Sequence, residues 1–180
     1  MLQLERAKNN PILVPDQSSG WESKAVFNCA VLHDGKAFHM LYRAIGEYED
    51  YVSRIGYASS SDGILFTRNK DPVMYPERNY EKYGIEDPRL MTIDGETYVT
   101  YVVLSDYVKN NPSVSTALAK TEDFSHYQRL GIITLPGSQD KDVVLFPRSN
   151  PESVFQRFML LHRPSTWVGP QYKTERPSIW

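Results

Sequence analysis

The sequence predicts an all-β chain, and three observations carry that reading. No stretch of its 180 residues sustains the apolar period of an amphipathic helix. Short runs rich in Val, Tyr, Phe and Thr are joined by Asp-Gly turns, the pair that supplies the positive φ of a tight hairpin. The whole pattern also recurs at an offset of about 60 residues, which marks repeated four-stranded sheets of the kind that build a β-propeller.

Taken in order, residues 1–20 hold Asn9-Asn10-Pro11-Ile12-Leu13-Val14-Pro15, an apolar run with proline at both ends. Proline cannot donate to a ladder, so this segment reads as an edge strand or extended arm. The first sheet, over 21–70, has runs at 25–31, 37–43 and 53–59, with a short fourth at Phe66-Thr67-Arg68. Its turns are Asp34-Gly35 and Ser61-Asp62-Gly63. After a linker at 71–76, the second copy occupies 80–131. Asp94-Gly95 aligns with Asp34-Gly35, Tyr101 with Tyr42, Ala119 with Ala58 and Asp123 with Asp62. A third copy, over 141–180, starts with a run at 142–148, and its Leu161-His162-Arg163 matches Leu41-Tyr42-Arg43. Asn150-Pro151-Glu152-Ser153 reads as a lengthened turn, and a third strand is expected to begin at Pro177-Ser178-Ile179-Trp180. The chain is therefore expected to be one incomplete propeller domain of two and a half to three blades, against the roughly four to eight that close a ring. We read it as the N-terminal part of a longer ancestral protein, with open strand edges that favour a homo-oligomer.

Composition narrows the function classes. The 20 basic and 22 acidic residues nearly cancel, so no field draws nucleic acid or an anionic membrane surface. No apolar run approaches the roughly 20 residues needed to span a bilayer, and the N-terminal residues lack a secretory apolar core, so a cytoplasmic location is expected. The single cysteine, Cys29, allows no intramolecular disulfide or thiolate metal cluster and reads as a small buried core residue.

Chemistry concentrates at Gly84-Ile85-Glu86-Asp87-Pro88-Arg89-Leu90. Two acids and an arginine inside strand-forming sequence cost desolvation energy unless they have a task or a partner. One reading pairs Glu86 or Asp87 with Arg89 at a strand entry. The repeat favours the other. The first strand of each blade lines the propeller axis, and the alignment superimposes Asn28 on Asp87, with the region around Phe146 to Arg148 in the third copy. Arg43, His162 and Arg163 on the second strands are also placed near the axis, although Arg43 equally fits a strand-to-strand ion pair and His162 a satisfied interior histidine.

These motifs carry a resemblance. Trp21-Glu22-Ser23 leading to Phe27-Asn28, Leu41-Tyr42-Arg43-Ala44, Ser53-Arg54-Ile55-Gly56-Tyr57-Ala58, Glu86-Asp87-Pro88-Arg89 and Leu161-His162-Arg163-Pro164 occur in the order of glycoside hydrolase family 130, which the chain resembles over 9–180. That family comprises β-mannoside phosphorylases and related hydrolases on a five-bladed β-propeller, of which this chain corresponds to about the first three-fifths. The resemblance implies Asp87 as the general acid. It implies Asn28, Arg43, Ser23 and Arg89 as sugar-binding residues, and Arg129, Arg148, Arg163 and His162 as the phosphate site. No metal or cofactor is implied; inorganic phosphate is the co-substrate and a β-mannosyl saccharide the partner. Tyr42, Tyr57, Tyr83, Trp21 and Trp167 are compatible with sugar stacking or with core packing. Cys29 stands where the family often has proline. An inverting hydrolase needs two carboxylates, whereas a phosphorylase needs one acid and cationic docking for its nucleophile, so one axial acid among arginines favours phosphorolysis. A hydrolase of the same family, or an inactive remnant that binds glycans, are the alternatives.

Overall fold

The computed structural model describes residues 3, 5–108, 111–147 and 158–180. The described residues are all-β apart from two short 3-10 turns, at Asn79–Glu81 and Pro170–Tyr172. The first sheet runs antiparallel in chain order through β1 (Ala25–His33), β2 (Phe38–Ile45), β3 (Arg54–Ser60) and β4 (Thr67–Arg68). The second repeats it as β5 (Ile85–Ile93), β6 (Glu96–Val108), β7 (Asn111–Thr121) and β8 (Gln128–Ile132). A third begins as β9 (Asp140–Pro147) and β10 (Phe158–Pro164). Trp180 exchanges both backbone hydrogen bonds with His162 of β10, at 2.9 and 3.1 Å. The innermost strands are neighbours, β1 beside β5 and β5 beside β9, and the sheets do not close into a ring among the described residues.

Apolar residues on facing sheets form the core. Leu41, Ile55 and Met74 from the first unit meet Ile85, Val99, Tyr101, Val103, Ala117 and Ala119 from the second, all essentially without exposure. The linker joins this core because Met74 pairs with Ile55 through backbone bonds of 2.9 and 3.2 Å. On the other face of the first sheet, Met40, Tyr42, Ala44 and Ala58 are covered by Ile12, Leu13 and Trp21 from the segment before β1. That segment contains no strand among its described residues; it packs as an arm. Gly56 is dictated by packing: a Cβ there would lie 2.3 Å from Cζ of the Tyr42 ring.

One backbone device recurs three times. In each sheet the pairing of the first two strands slips by one residue: between Phe27 and Ala30 on β1, between Glu86 and Arg89 on β5, and between Leu161 and Arg163 opposite β9. The extra residue takes a left-handed conformation, Asn28 at φ 48°, Asp87 at φ 49° and Asp142 at φ 62°. Such a bulge bends the strand and re-aims the side chain, and Asn and Asp tolerate its left-handed geometry best among non-glycine residues.

This corrects the placement of the third inner strand. Asp142, rather than the region around Phe146 to Arg148, is the counterpart of Asn28 and Asp87. The connection from β9 to β10 is longer than those from β1 to β2 and from β5 to β6, which displaces the first strand upstream of a fixed offset. Arg148 and the expected lengthened turn at Asn150 to Ser153 lie outside the described residues. Cys29 is exposed rather than buried. Its counterparts Pro88 and Val143 are buried; β5 and β9 each lie against the inner strand of the preceding sheet, whereas β1 has no such preceding neighbour among the described residues.

Candidate active site

The bulges bring Asn28 and Asp87 together. Asn28 donates from Nδ2 to Asp87 Oδ1 at 2.8 Å, and Arg43 donates to the same oxygen from a terminal guanidinium nitrogen at 3.2 Å. The other terminal nitrogen of Arg43 donates to Glu86 Oε1, and its Nε to Ser53 Oγ at 2.9 Å. Ser53 Oγ in turn lies 3.5 Å from Glu86 Oε1. One guanidinium thus bridges adjacent carboxylates, the fork geometry at which arginine is strongest. The side chains of Arg43 and Asp87 are only 9% and 8% exposed. The Phe27 ring covers the guanidinium at 4.7 Å and Tyr51 approaches it at 5.5 Å. Burial raises the Glu86 carboxyl above the usual range, opposed by Arg43. Among the described residues no hydrogen bond holds Asp87 Oδ2, so one oxygen is fixed and the other is uncommitted.

A second cluster adjoins the first along the axis. Arg89 donates to Asp142 Oδ1 at 3.2 Å and Arg163 donates to Asp142 Oδ2 at 2.6 Å. Arg89 therefore pairs with neither Glu86 nor Asp87; the acid at the strand entry belongs to Arg43 instead.

Three sequence-predicted residues are not brought to either cluster. Arg129 lies buried on β8, with Nε 3.1 Å from Glu81 Oε1 and a terminal nitrogen 3.4 Å from Glu77. Arg68 on β4 does the same for Glu22 at 3.1 Å. Both glutamates also accept a tyrosine hydroxyl: Tyr42 to Glu22 at 2.8 Å and Tyr101 to Glu81 at 2.7 Å. Burial first, and then that hydrogen bond, push both hydroxyls well above their ordinary range. Arg129 is thus one member of a buried Glu-Tyr-Arg lock that each complete sheet contains. His162 takes the place of the tyrosine in the third unit, its Nδ1 2.6 Å from Oδ2 of buried Asp140, with its ring edge-on to Trp167. It is the satisfied interior histidine. Ser23 donates to the Gly46 carbonyl at 2.9 Å, fixing the entry to β1.

Sequence reasoning missed Ser53, Phe27, Tyr51 and Asp142 as neighbours of the site. For Asp142 the signal is the aspartate in third place of Asp140-Lys141-Asp142-Val143, as in Ile85-Glu86-Asp87-Pro88, each at the start of its strand. Of the expected aromatics, Tyr42 and Tyr57 pack in the core, and Trp167 stacks on Tyr172 with centroids 5.6 Å apart. Among the described residues, no group of three or more His, Cys, Asp or Glu side chains is arranged to hold a metal ion.

The family model for β-1,4-mannooligosaccharide phosphorylase, glycoside hydrolase family 130, matches residues 3–168. A 1,2-β-oligomannan phosphorylase from Thermoanaerobacter sp. (strain X514) is 37% identical over 176 residues, covering 94% of this chain and 57% of that protein. A β-1,2-mannobiose phosphorylase from the same organism is 33% identical over 182 residues, covering 94% of this chain and 58% of its own. Among solved structures, the β-1,2-mannobiose phosphorylase from Listeria innocua, in complex with β-1,2-mannobiose, superimposes with a TM-score of 0.68 at 24% identity, over 89% of this chain and 58% of that one. That last likeness is one of fold. The chain spans less than two thirds of the length of these relatives.

Proposed function

Since the chain belongs to glycoside hydrolase family 130, we propose that its site serves the inverting phosphorolysis of β-mannosyl linkages, giving mannose 1-phosphate. The observation that carries this reading is the asymmetry of Asp87. Oδ1 is held by Asn28 and Arg43, which leaves Oδ2 to hold a proton and pass it on. In the proposed reaction a phosphate oxygen forms a bond to the anomeric carbon on the face opposite the leaving group. The glycosidic C–O bond breaks with its electron pair going to the aglycone oxygen, and that oxygen receives the Asp87 proton directly or through a sugar hydroxyl. Asn28 and Arg43 hold the acid and border the sugar.

Two features support phosphate rather than water as the nucleophile. A hydrolytic base would need a free second carboxylate, and among the described residues the acids next to Asp87 are committed, Glu86 to Arg43 and Asp142 to Arg89 and Arg163. Those last two arginines are also a third or more exposed, so they remain open to an anion. Both curated relatives are named for β-1,2 linkages, which makes β-1,2-mannobiose the first substrate to try. We place the protein in the cytoplasm, where a charged sugar phosphate is retained. We also propose association between copies along the open edge near β10, where Met159, Leu160 and Leu161 are exposed.

The test incubates the chain with mannose 1-phosphate and mannose and follows phosphate release, alongside Asp87→Asn. Release that falls by roughly two to four orders of magnitude in the variant is the expected result. Equal release by both proteins, or no release by the unmodified chain, overturns the proposal.

A further inference from the structure

We propose that Asp142 is a positioning residue that fixes Arg89 and Arg163 as a two-guanidinium cradle for inorganic phosphate; this deepens the phosphorolysis reading and rests on it. The third bulge places Asp142 at the axial phase that Asn28 and Asp87 occupy in the other two sheets, with the same left-handed backbone. An aspartate held in that conformation is fixed by its own strand rather than by the groups it binds.

Its carboxylate divides evenly. Oδ1 accepts from Arg89 at 3.2 Å and Oδ2 from Arg163 at 2.6 Å, so one acid orients two arginines from different sheets. Arg89 commits a second nitrogen to the Pro88 carbonyl at 3.0 Å, which further fixes its plane. A guanidinium carries five N–H donors, so both arginines keep donors beyond those used by Asp142. Their exposure sets them apart from the arginines with structural tasks. The side chains of Arg89 and Arg163 are 33% and 39% exposed, against 9% for Arg43 and 5% for Arg129. Lys141, adjacent in sequence, acts electrostatically to lower the Glu86 carboxyl. A phosphate dianion, rich in acceptor oxygens, is the ligand chemistry that two preorganised planar forks suit. β5 carries both Asp87 and Arg89, so the cradle and the acid share one strand.

The direction of the Asp142→Asn effect separates positioning from simple charge balance. Asparagine tolerates the left-handed backbone and keeps the shape, but removes a negative charge beside the phosphate. Charge balance alone predicts tighter phosphate binding in the variant. Positioning predicts weaker binding, because the two arginines are no longer preorganised.

The experiment titrates inorganic phosphate, and separately β-1,2-mannobiose, into the full chain by calorimetry. The proteins are the unmodified chain, Asp142→Asn, Arg163→Gln and the double variant. Phosphate affinity about tenfold weaker in Asp142→Asn, with mannobiose affinity unchanged and no further additive loss in the double variant, is the expected result. Phosphate binding that is unchanged or tighter in Asp142→Asn overturns the inference alone, as does a parallel loss of both ligands. Mannobiose binding without phosphate binding in the unmodified chain overturns the cradle and the phosphorolysis reading together, while leaving the sugar site. If Asp142→Asn does not fold, Arg163→Gln decides: phosphate affinity equal to that of the unmodified chain overturns the cradle.

Discussion

Replacing Arg43 by glutamine tests the electrostatic frame of the site through its pH dependence. The guanidinium is buried and bridges Asp87 and Glu86, so its loss leaves neighbouring carboxylates without their cation in a largely desolvated place. Removing one partner of a buried ion pair costs about 3–5 kcal/mol, and that is the destabilisation expected near pH 8. The sign of the pH effect follows from Glu86. Its carboxyl is raised in the folded chain by burial, so between its ordinary and its raised pKa the folded state binds more protons than the unfolded one, and stability falls as pH rises through that window. Arg43 opposes the shift, so its removal extends the window upward. A group inside its window contributes about 1.4 kcal/mol per pH unit. The destabilisation should therefore shrink to about 1–2 kcal/mol near pH 5, where a proton replaces the missing cation. Urea unfolding followed by tryptophan fluorescence at both pH values, with Arg43→Lys as the charge-retaining reference, measures this. An equal loss at pH 5 and pH 8 would mean that Arg43 acts by packing against Phe27 and not as a counter-ion.

Two further outcomes bear on the sheets. Gly56→Ala places a methyl group against the Tyr42 ring and should lower stability by about 1–3 kcal/mol, readable as a reduced melting temperature. A melting temperature equal to that of the unmodified chain would mean that the ring has room to move. Arg129→Met leaves Glu81 buried without its cation and should cost about 3–5 kcal/mol in urea unfolding, yet leave the affinity for phosphate intact in the surviving folded fraction; selective loss of phosphate affinity would restore Arg129 to the site.

The repeat made most of the fold readable. Turn chemistry at Asp34-Gly35 and Asp94-Gly95 set hairpins whose strands formed as expected, and the shared offset put Asn28 and Asp87 on neighbouring inner strands. The same offset makes Arg129 the counterpart of Arg68, and hence a member of a lock present in both complete sheets. Asp142 escaped because a longer hairpin broke the register on which the alignment relied. Cys29 was misread because burial of an inner-strand residue depends on a neighbouring strand from another blade, and no local pattern encodes that neighbour.

The thrice-used bulge separates what the backbone demands from what the chemistry uses. Its left-handed residue restricts the choice largely to glycine, asparagine or aspartate, and among these asparagine and aspartate differ by little more than one proton-bearing group in nearly the same volume. The axis can thus be read as a short word, Asn28, Asp87, Asp142, written in two letters. Changing a letter exchanges an amide for an acid while the sheet beneath it stays as it was, so duplication of a blade supplies a ready-made socket and a single substitution decides whether it donates a hydrogen bond, holds a proton or anchors a cation.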